Sequence, residues 1–206
     1  MTDANNLILI GGGGHALVVA DAAELAGLRV EGFLDDATEA PLAHGQPSCP
    51  RLGGFADLER FTRHACILAI GDLALRRKLI ARMSRADART VIHPRAIVSP
   101  SADIGRGVYI GPGAVVHTRA VIANHAIINS GCIVEHECRI GENAHVAPGA
   151  VVGGRTTVGA DTLVGIGSRV LPGQSIGKSC IIGAGAAVIS ALADGARVAG
   201  VPAKPL

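Results

Sequence analysis

From Ile92 onward the chain repeats an apolar position every six residues. Ile or Val stands at seventeen successive steps, from Ile92, Val98 and Ile104 to Ile176, Ile182 and Val188, and Asp194 ends the series. Four residues after each anchor the side chain is small: Ala96, Ala102, Ala114, Ala120, Ala126, Cys132, Cys138, Ala144, Ala150, Thr156, Thr162, Ser168, Cys180 and Ala186, with Val108, Gln174 and Leu192 as exceptions. Gly often follows the anchor, as at Gly105, Gly141, Gly159 and Gly177. This pattern predicts a solenoid in which each hexad is one short strand and one corner. The anchor points inward, the small residue fits the corner, and Gly permits the turn. Stacked coils then bury a continuous aliphatic core and pair their backbones about 4.8 Å apart. The run contains no insertion, so no long loop is expected to leave it.

The first ninety residues follow a different pattern. Leu7–Ile10 reads as a short apolar strand, residues 15–26 as a helix ending at Gly27, and Arg29–Leu34 as a second strand ending at Asp35 and Asp36. Cys66–Ile70 reads as a third strand and Leu73–Ser84 as a second helix. Alternating strands and helices imply a parallel α/β sheet. Gly11, Gly13 and Ala16 fit the G-x-G-x-x-G/A fingerprint between a strand and a helix, with an acid about twenty residues on. Such a loop lets a phosphate approach the backbone and the helix N-terminus. A tight glycine turn without a ligand is the alternative. Three strands suit a mononucleotide half rather than a full dinucleotide domain, so a nucleotide-sugar fits better than NAD. Residues 1–88 are therefore read as a small Rossmann-like domain and residues 89–206 as the repeat domain, with a tail after 191.

Composition narrows the function classes. Lys plus Arg is 19 against 17 acids, aromatics are 2% and Trp is absent. Neither a basic stripe nor a stacking platform for nucleic acid is present. The first residues carry no basic segment, and no apolar run approaches the roughly 18 residues of a membrane span. Five cysteines without CxxC spacing read as reduced thiols in a cytoplasmic protein.

Candidate chemistry lies in residues 128–148. His136 follows anchor Val134 by two positions, so strand alternation points it outward, between Glu135 and Glu137. One coil later stands Gly154, a bare backbone that leaves room for a ligand. A histidine oriented by a carboxylate suits a general base for attack on a thioester. A solvated Glu-His-Glu triplet is the bland alternative. Cys132 suggests a Cys/His pair, but Cys132, Cys138 and Cys180 occupy the small corner position where Ala is usual. His117, one rung away, and His125 are left without a role.

The whole chain resembles the bacterial hexapeptide-repeat sugar acyltransferases of the sialic acid O-acetyltransferase and UDP-4-amino-sugar N-acetyltransferase type. The matching residues are Gly11–His15, Asp35-Asp36, Ala69–Asp72, Ile92–Pro94, Val134–Cys138, His145 and Val201–Lys204. The resemblance implies a left-handed parallel β-helix of three hexads per coil and a homotrimer with sites between subunits. It also implies acetyl-CoA as co-substrate, with no metal. By resemblance His136 is the general base and Glu137 polarises it. Gly12, Gly13, His15, Asp35, Asp36, Ile70, Gly71 and Asn129 hold the substrate, and His145, Gly154 and Ile166 the coenzyme. Relatives often carry Asn where Asp72 stands, which leaves that residue's nucleotide contact open. The expected reaction is N-acetylation of a nucleotide-linked amino-deoxy sugar, with a UDP-4-amino-4,6-dideoxy sugar as first choice. Sialic acid O-acetylation is the alternative. A zinc site of carbonic-anhydrase type using His117, His136 and His145, and a non-catalytic nucleotide-sugar binder, are remoter alternatives.

Overall fold

Leu7, Ile8, Leu9 and Ile10 are all buried, on both faces of their strand, as a central parallel strand requires. In the computed structural model, which describes residues 5–44, 49–61, 63–83 and 87–206, that strand is β1 (Asn6–Ile10). It is followed by α1 (Gly14–Leu25), β2 (Arg29–Leu34), β3 (Arg51–Gly53), β4 (Ala65–Leu68), α2 (Leu73–Arg82) and β5 (Asp87–Ala88). The sheet order is β3-β2-β1-β4-β5, all parallel. The sequence pattern predicts three strands, and among the described residues the sheet has five. The two additional strands, β3 and β5, are edge strands of three and two residues, too short to show alternation. Helix α2 is described to Arg82, and Ser84 lies outside the described residues. Arg76 of α2 is fully buried and donates to the carbonyls of Leu68, the last residue of β4, and Ile70 just past it. Burial pushes its guanidinium down to about 9.

The chain divides into two compact units, Met1–Pro94 and Arg95–Leu206. The second unit is a left-handed parallel β-helix whose strands, on three faces, are two residues long except the last, Arg197–Ala199. The first face stacks Ile97–Val98, Val115–Val116, Ile133–Val134, Val151–Val152, Arg169–Val170 and Ala187–Val188. The second stacks Asp103–Ile104, Val121–Ile122, Arg139–Ile140, Thr157–Val158 and Ser175–Ile176. The third stacks Tyr109–Ile110, Ile127–Ile128, His145–Val146, Leu163–Val164, Ile181–Ile182 and Arg197–Ala199. Partners on each face stand 18 residues apart from Ile97 to Val188, so no loop interrupts the coils. Anchors from Ile110 to Val188 are buried in one core. Burial of each stabilises by about 1.5–3 kcal/mol. Ile92, the first of the series, is 37% exposed. In the small column, Thr156, Thr162 and Ser168 are buried with their hydroxyls donating to Leu171, Gly177 and Gly165 carbonyls.

The glycines after the anchors do not turn the chain. A Cβ on Gly141, Gly153 or Gly159 would lie 2.5, 2.6 and 2.5 Å from the backbone of the next coil, so close stacking excludes it. The turn is made two residues later, by a positive φ at the third position after the anchor. Gly107, Gly113, Gly131, Gly149, Gly167, Gly173 and Gly185 hold that place, as do Arg119, His125, Glu137, Asn143, Arg155, Asp161 and Ser179. The helix also continues past the predicted end. Leu192 bridges Ile176, and Val198 pairs with Ile182, each 16 residues on. The last coil is thus two residues short, and Leu192 is an anchor there rather than an exception to the small column. Lys204–Pro205 then turns back antiparallel on Val198–Ala199. No described helix is long and apolar enough to cross a membrane.

Candidate active site

The first-to-second-face corner carries the predicted base. Strand Ile133–Val134 ends before Glu135, and His136 and Glu137 form the turn. His136 therefore points outward because it sits at a corner, not because a strand alternates there; the strand is only two residues long. Glu137 takes the positive φ of 61°, and its N–H donates to the Thr118 carbonyl one coil earlier. This places its carboxylate Oε2 3.2 Å from His136 Nδ1. Arg155 Nε lies 3.3 Å from the same oxygen and an Arg119 guanidinium nitrogen 3.1 Å from Oε1. The hydrogen bond from His136, then those of Arg155 and the charge of Arg119, hold the Glu137 carboxyl below the usual range. An ionised carboxylate only accepts, so Nδ1 carries the proton and the neutral ring presents a lone pair at Nε2.

Nε2 stands against the bare Gly154 backbone. A Cβ on Gly154 would lie 2.6 Å from His136 Nε2. A cavity of about 310 Å³ opens here, lined by His136, Gly154, Arg155, Pro172 and Gly173. His117, on the preceding coil, has its Nε2 3.8 Å from Glu135 Oε1. His125 is on the second-to-third-face corner, a different corner from His136. Cys132 is buried and burial pushes its thiol up to about 12, so no thiolate is available beside His136. Cys132→Ala is expected to keep kcat within about two-fold in a thiol-release assay; a loss of three orders would reinstate a cysteine nucleophile.

The residues expected to hold the coenzyme, and Asn129, expected to hold the substrate, divide between two edges. Gly154 is under His136. Asn129, His145 and Ile166 are on the third face and its corner to the first, one face-width from His136, or about 20 Å of extended chain. Asn129 Oδ1 accepts the Ser130 N–H at 2.8 Å, which turns its Nδ2 toward His145 Nε2, 3.0 Å away. Ile166 is 61% exposed. The candidate zinc set is likewise not gathered in one chain, because His145 stands on a different face from His117 and His136.

In the α/β unit, Gly13, His15, Asp35, Ile70 and Gly71 line a second cavity of about 190 Å³. Gly14, Phe55, Ala69 and Leu75 complete it; Phe55 carries no sequence signal beyond its aromaticity. A Cβ on Gly13 or Gly14 would meet nothing within 4 Å. Gly12 faces the other way, where a Cβ would strike the Phe33 ring. Its N–H donates to Asp35 Oδ2 at 2.7 Å, and Asp35 Oδ1 accepts from Ala37 at 2.8 Å. Asp36 Oδ1 accepts from the Phe55 N–H at 2.8 Å. Both acids thus brace the loops around the cavity. Asp72 caps α2, accepting from the Leu75 N–H at 2.7 Å.

Residues 6–83 match the model of the PglD N-terminal domain, and residues 79–181 that of the GMPPB C-terminal domain. No curated protein sequence matches the chain. Among solved structures, the acetyltransferase domain of PglB from Neisseria gonorrhoeae, in complex with acetyl coenzyme A, is 33% identical with a TM-score of 0.92. The match covers 99% of this chain and 100% of that one. The chain belongs to the PglD-like hexapeptide-repeat sugar acetyltransferases. A mutant perosamine N-acetyltransferase from Caulobacter crescentus, in complex with CoA and GDP-perosamine, is 34% identical with a TM-score of 0.90, covering 99% of this PglD-like chain and 98% of its own. WeeI from Acinetobacter baumannii, at 23% identity and a TM-score of 0.83 over 97% and 99% of the two chains, shares the fold.

Proposed function

We propose that this PglD-like enzyme transfers the acetyl group of acetyl-CoA to the amine of a nucleotide-linked amino-deoxy sugar, with His136 as general base. The carrying observation is the His136 ring, its Nδ1–H aimed at Glu137 and its Nε2 over the bare Gly154 backbone beside a cavity. The amine nitrogen attacks the thioester carbonyl and Nε2 takes the proton the amine loses. The C–S bond then breaks and CoA leaves as the thiolate, to which the imidazolium returns the proton. A thioester is already activated, so no covalent enzyme intermediate is needed.

The proposal assigns the nucleotide to the cavity at Gly13, Gly14 and His15, beside the N-terminus of α1, where backbone N–H groups favour phosphate. It assigns the coenzyme to the edge carrying Asn129, His145 and Ile166, contributed by a second copy of the chain in a cytoplasmic homotrimer. One chain holds that edge a face-width from its own His136, which favours a shared site. The first face fits such packing: Ile97, Val115, Ile133 and Val151 form an apolar outer row, whereas Asp103, Arg139, Thr157 and Ser175 are exposed on the second face.

Thiol release is the test, with acetyl-CoA and a panel of UDP- and GDP-linked 4-amino sugars beside free and CMP-linked sialic acid. Turnover of one amino sugar at a kcat of about 1–10³ per second is expected and would name the carrier. Turnover of the sialic acids alone would replace N-acetylation by O-acetylation.

A further inference from the structure

We propose that Arg119 and Arg155 are positioning residues that grip Glu137 from the coils on either side and offset its charge at the His136 ring, a role that rests on His136 as the base. The three residues occupy the same place on successive coils, 18 apart, each with positive φ (57°, 61° and 59°). Their contacts use both carboxylate oxygens: Oε1 with Arg119 at 3.1 Å, and Oε2 with Arg155 at 3.3 Å and His136 at 3.2 Å. The coil itself asks for no side chain there, since glycine fills that place at Gly113, Gly131, Gly149 and Gly173. An L-residue in this conformation costs roughly 1–2 kcal/mol. Two arginines are thus placed where glycine would be less strained, and both point at the carboxylate that orients the base.

The physical need is specific. A lone carboxylate beside an imidazole favours the imidazolium, which has lost the lone pair a base requires. Two guanidiniums on the same carboxylate oppose that effect while leaving the Nδ1–H···Oε2 contact in place. The remaining charged groups on this corner are few. His117 comes from the preceding coil and is engaged with Glu135. Glu135 and Glu137 share the coil of His136. The following coil adds Arg155, and the one after it, Leu171-Pro172-Gly173, adds none. Arg139 is exposed at the start of the second face, two residues on. Glu137 stays ionised throughout the neutral range, because its carboxyl is already held low. The arginines, 68% and 74% exposed, act through solvent, so salt must weaken their effect.

The test is the pH profile of kcat/KM for Arg119→Gln, Arg155→Gln, the double variant and Arg155→Lys, each checked for melting temperature and hydrodynamic size. Loss of positive charge stabilises the imidazolium, so the acid limb should move to higher pH, by about half to one pH unit in the double variant at low salt. The displacement should shrink near 1 M salt, and Arg155→Lys should return most of it. KM for the nucleotide sugar should stay within about two-fold. An unmoved limb in the double variant overturns the proposal, as does a raised KM with an unmoved limb, which would make Arg155 a substrate contact. His136→Gln is run beside them. If it retains turnover, the base assignment itself fails. If it is inactive while the arginine variants keep the native limb, only the positioning role falls.

Discussion

His136→Ala is expected to lower kcat by about 10²–10⁴-fold with little change in stability. The ring is 47% exposed at a corner, and the hydrogen bond it makes is to Glu137. It belongs to no core cluster, so its removal opens no cavity in the β-helix. Its backbone carbonyl, which accepts from the Arg155 N–H at 2.9 Å, is retained in the variant. Steady-state kinetics beside thermal denaturation would check this. A variant that keeps most of its kcat would remove His136 from the chemistry. A variant that unfolds would show that the corner depends on the ring.

Gly154→Ala should produce almost the same loss without touching the base. The new methyl would lie 2.6 Å from His136 Nε2 and 2.8 Å from Cε1, so the ring must swing away from its place. The ring is the end of a movable, half-exposed side chain, so the displacement costs little stability. Catalysis is less forgiving: a misplacement near 1 Å can cost about 10²-fold in rate. Gly159→Ala provides the contrast. Its methyl would lie 2.5 Å from the Gly177 backbone in the next coil, which cannot move without separating the ladder. That variant should lose about 1–3 kcal/mol of stability and keep kcat per folded molecule. Equal stability losses in both variants, with no kinetic difference, would contradict the assigned geometry of Gly154.

The order of importance in the chain is visible from these contrasts. The period of six is dictated by contacts between neighbouring coils, and every coil repeats them. An inward Ile or Val, a small residue next to the corner and a glycine under the next backbone each leave a mark at fixed spacing. The solenoid, its freedom from loops and the pairing of position 136 with position 154 could therefore be read directly. The adjacency of His136 and Glu137 in the chain put a carboxylate beside the candidate base, and the glycine run after β1 marked the turn that opens α1.

Other features had no such mark. The turning position accepts Gly, Arg, His, Glu, Asn, Asp and Ser alike, because its requirement is a backbone angle and not a side chain. The shortened last coil was hidden because Asp194 interrupts the period, and only the pairing of Val198 with Ile182 restores the register. Edge strands β3 and β5 were too short for alternation. Arg119 and Arg155 stood at the correct spacing from Glu137, yet exposed charges at regular intervals also describe a solvated face. The sequence by itself determined the coil and its core and marked the candidate base, since these depend on spacing along the chain. The tertiary structure alone decided which oxygen of Glu137 each partner meets, and that His145 and Asn129 stand on a different edge from His136. Those facts depend on how a closed triangular coil turns its corners, and a linear period carries no information about the direction in which a corner points.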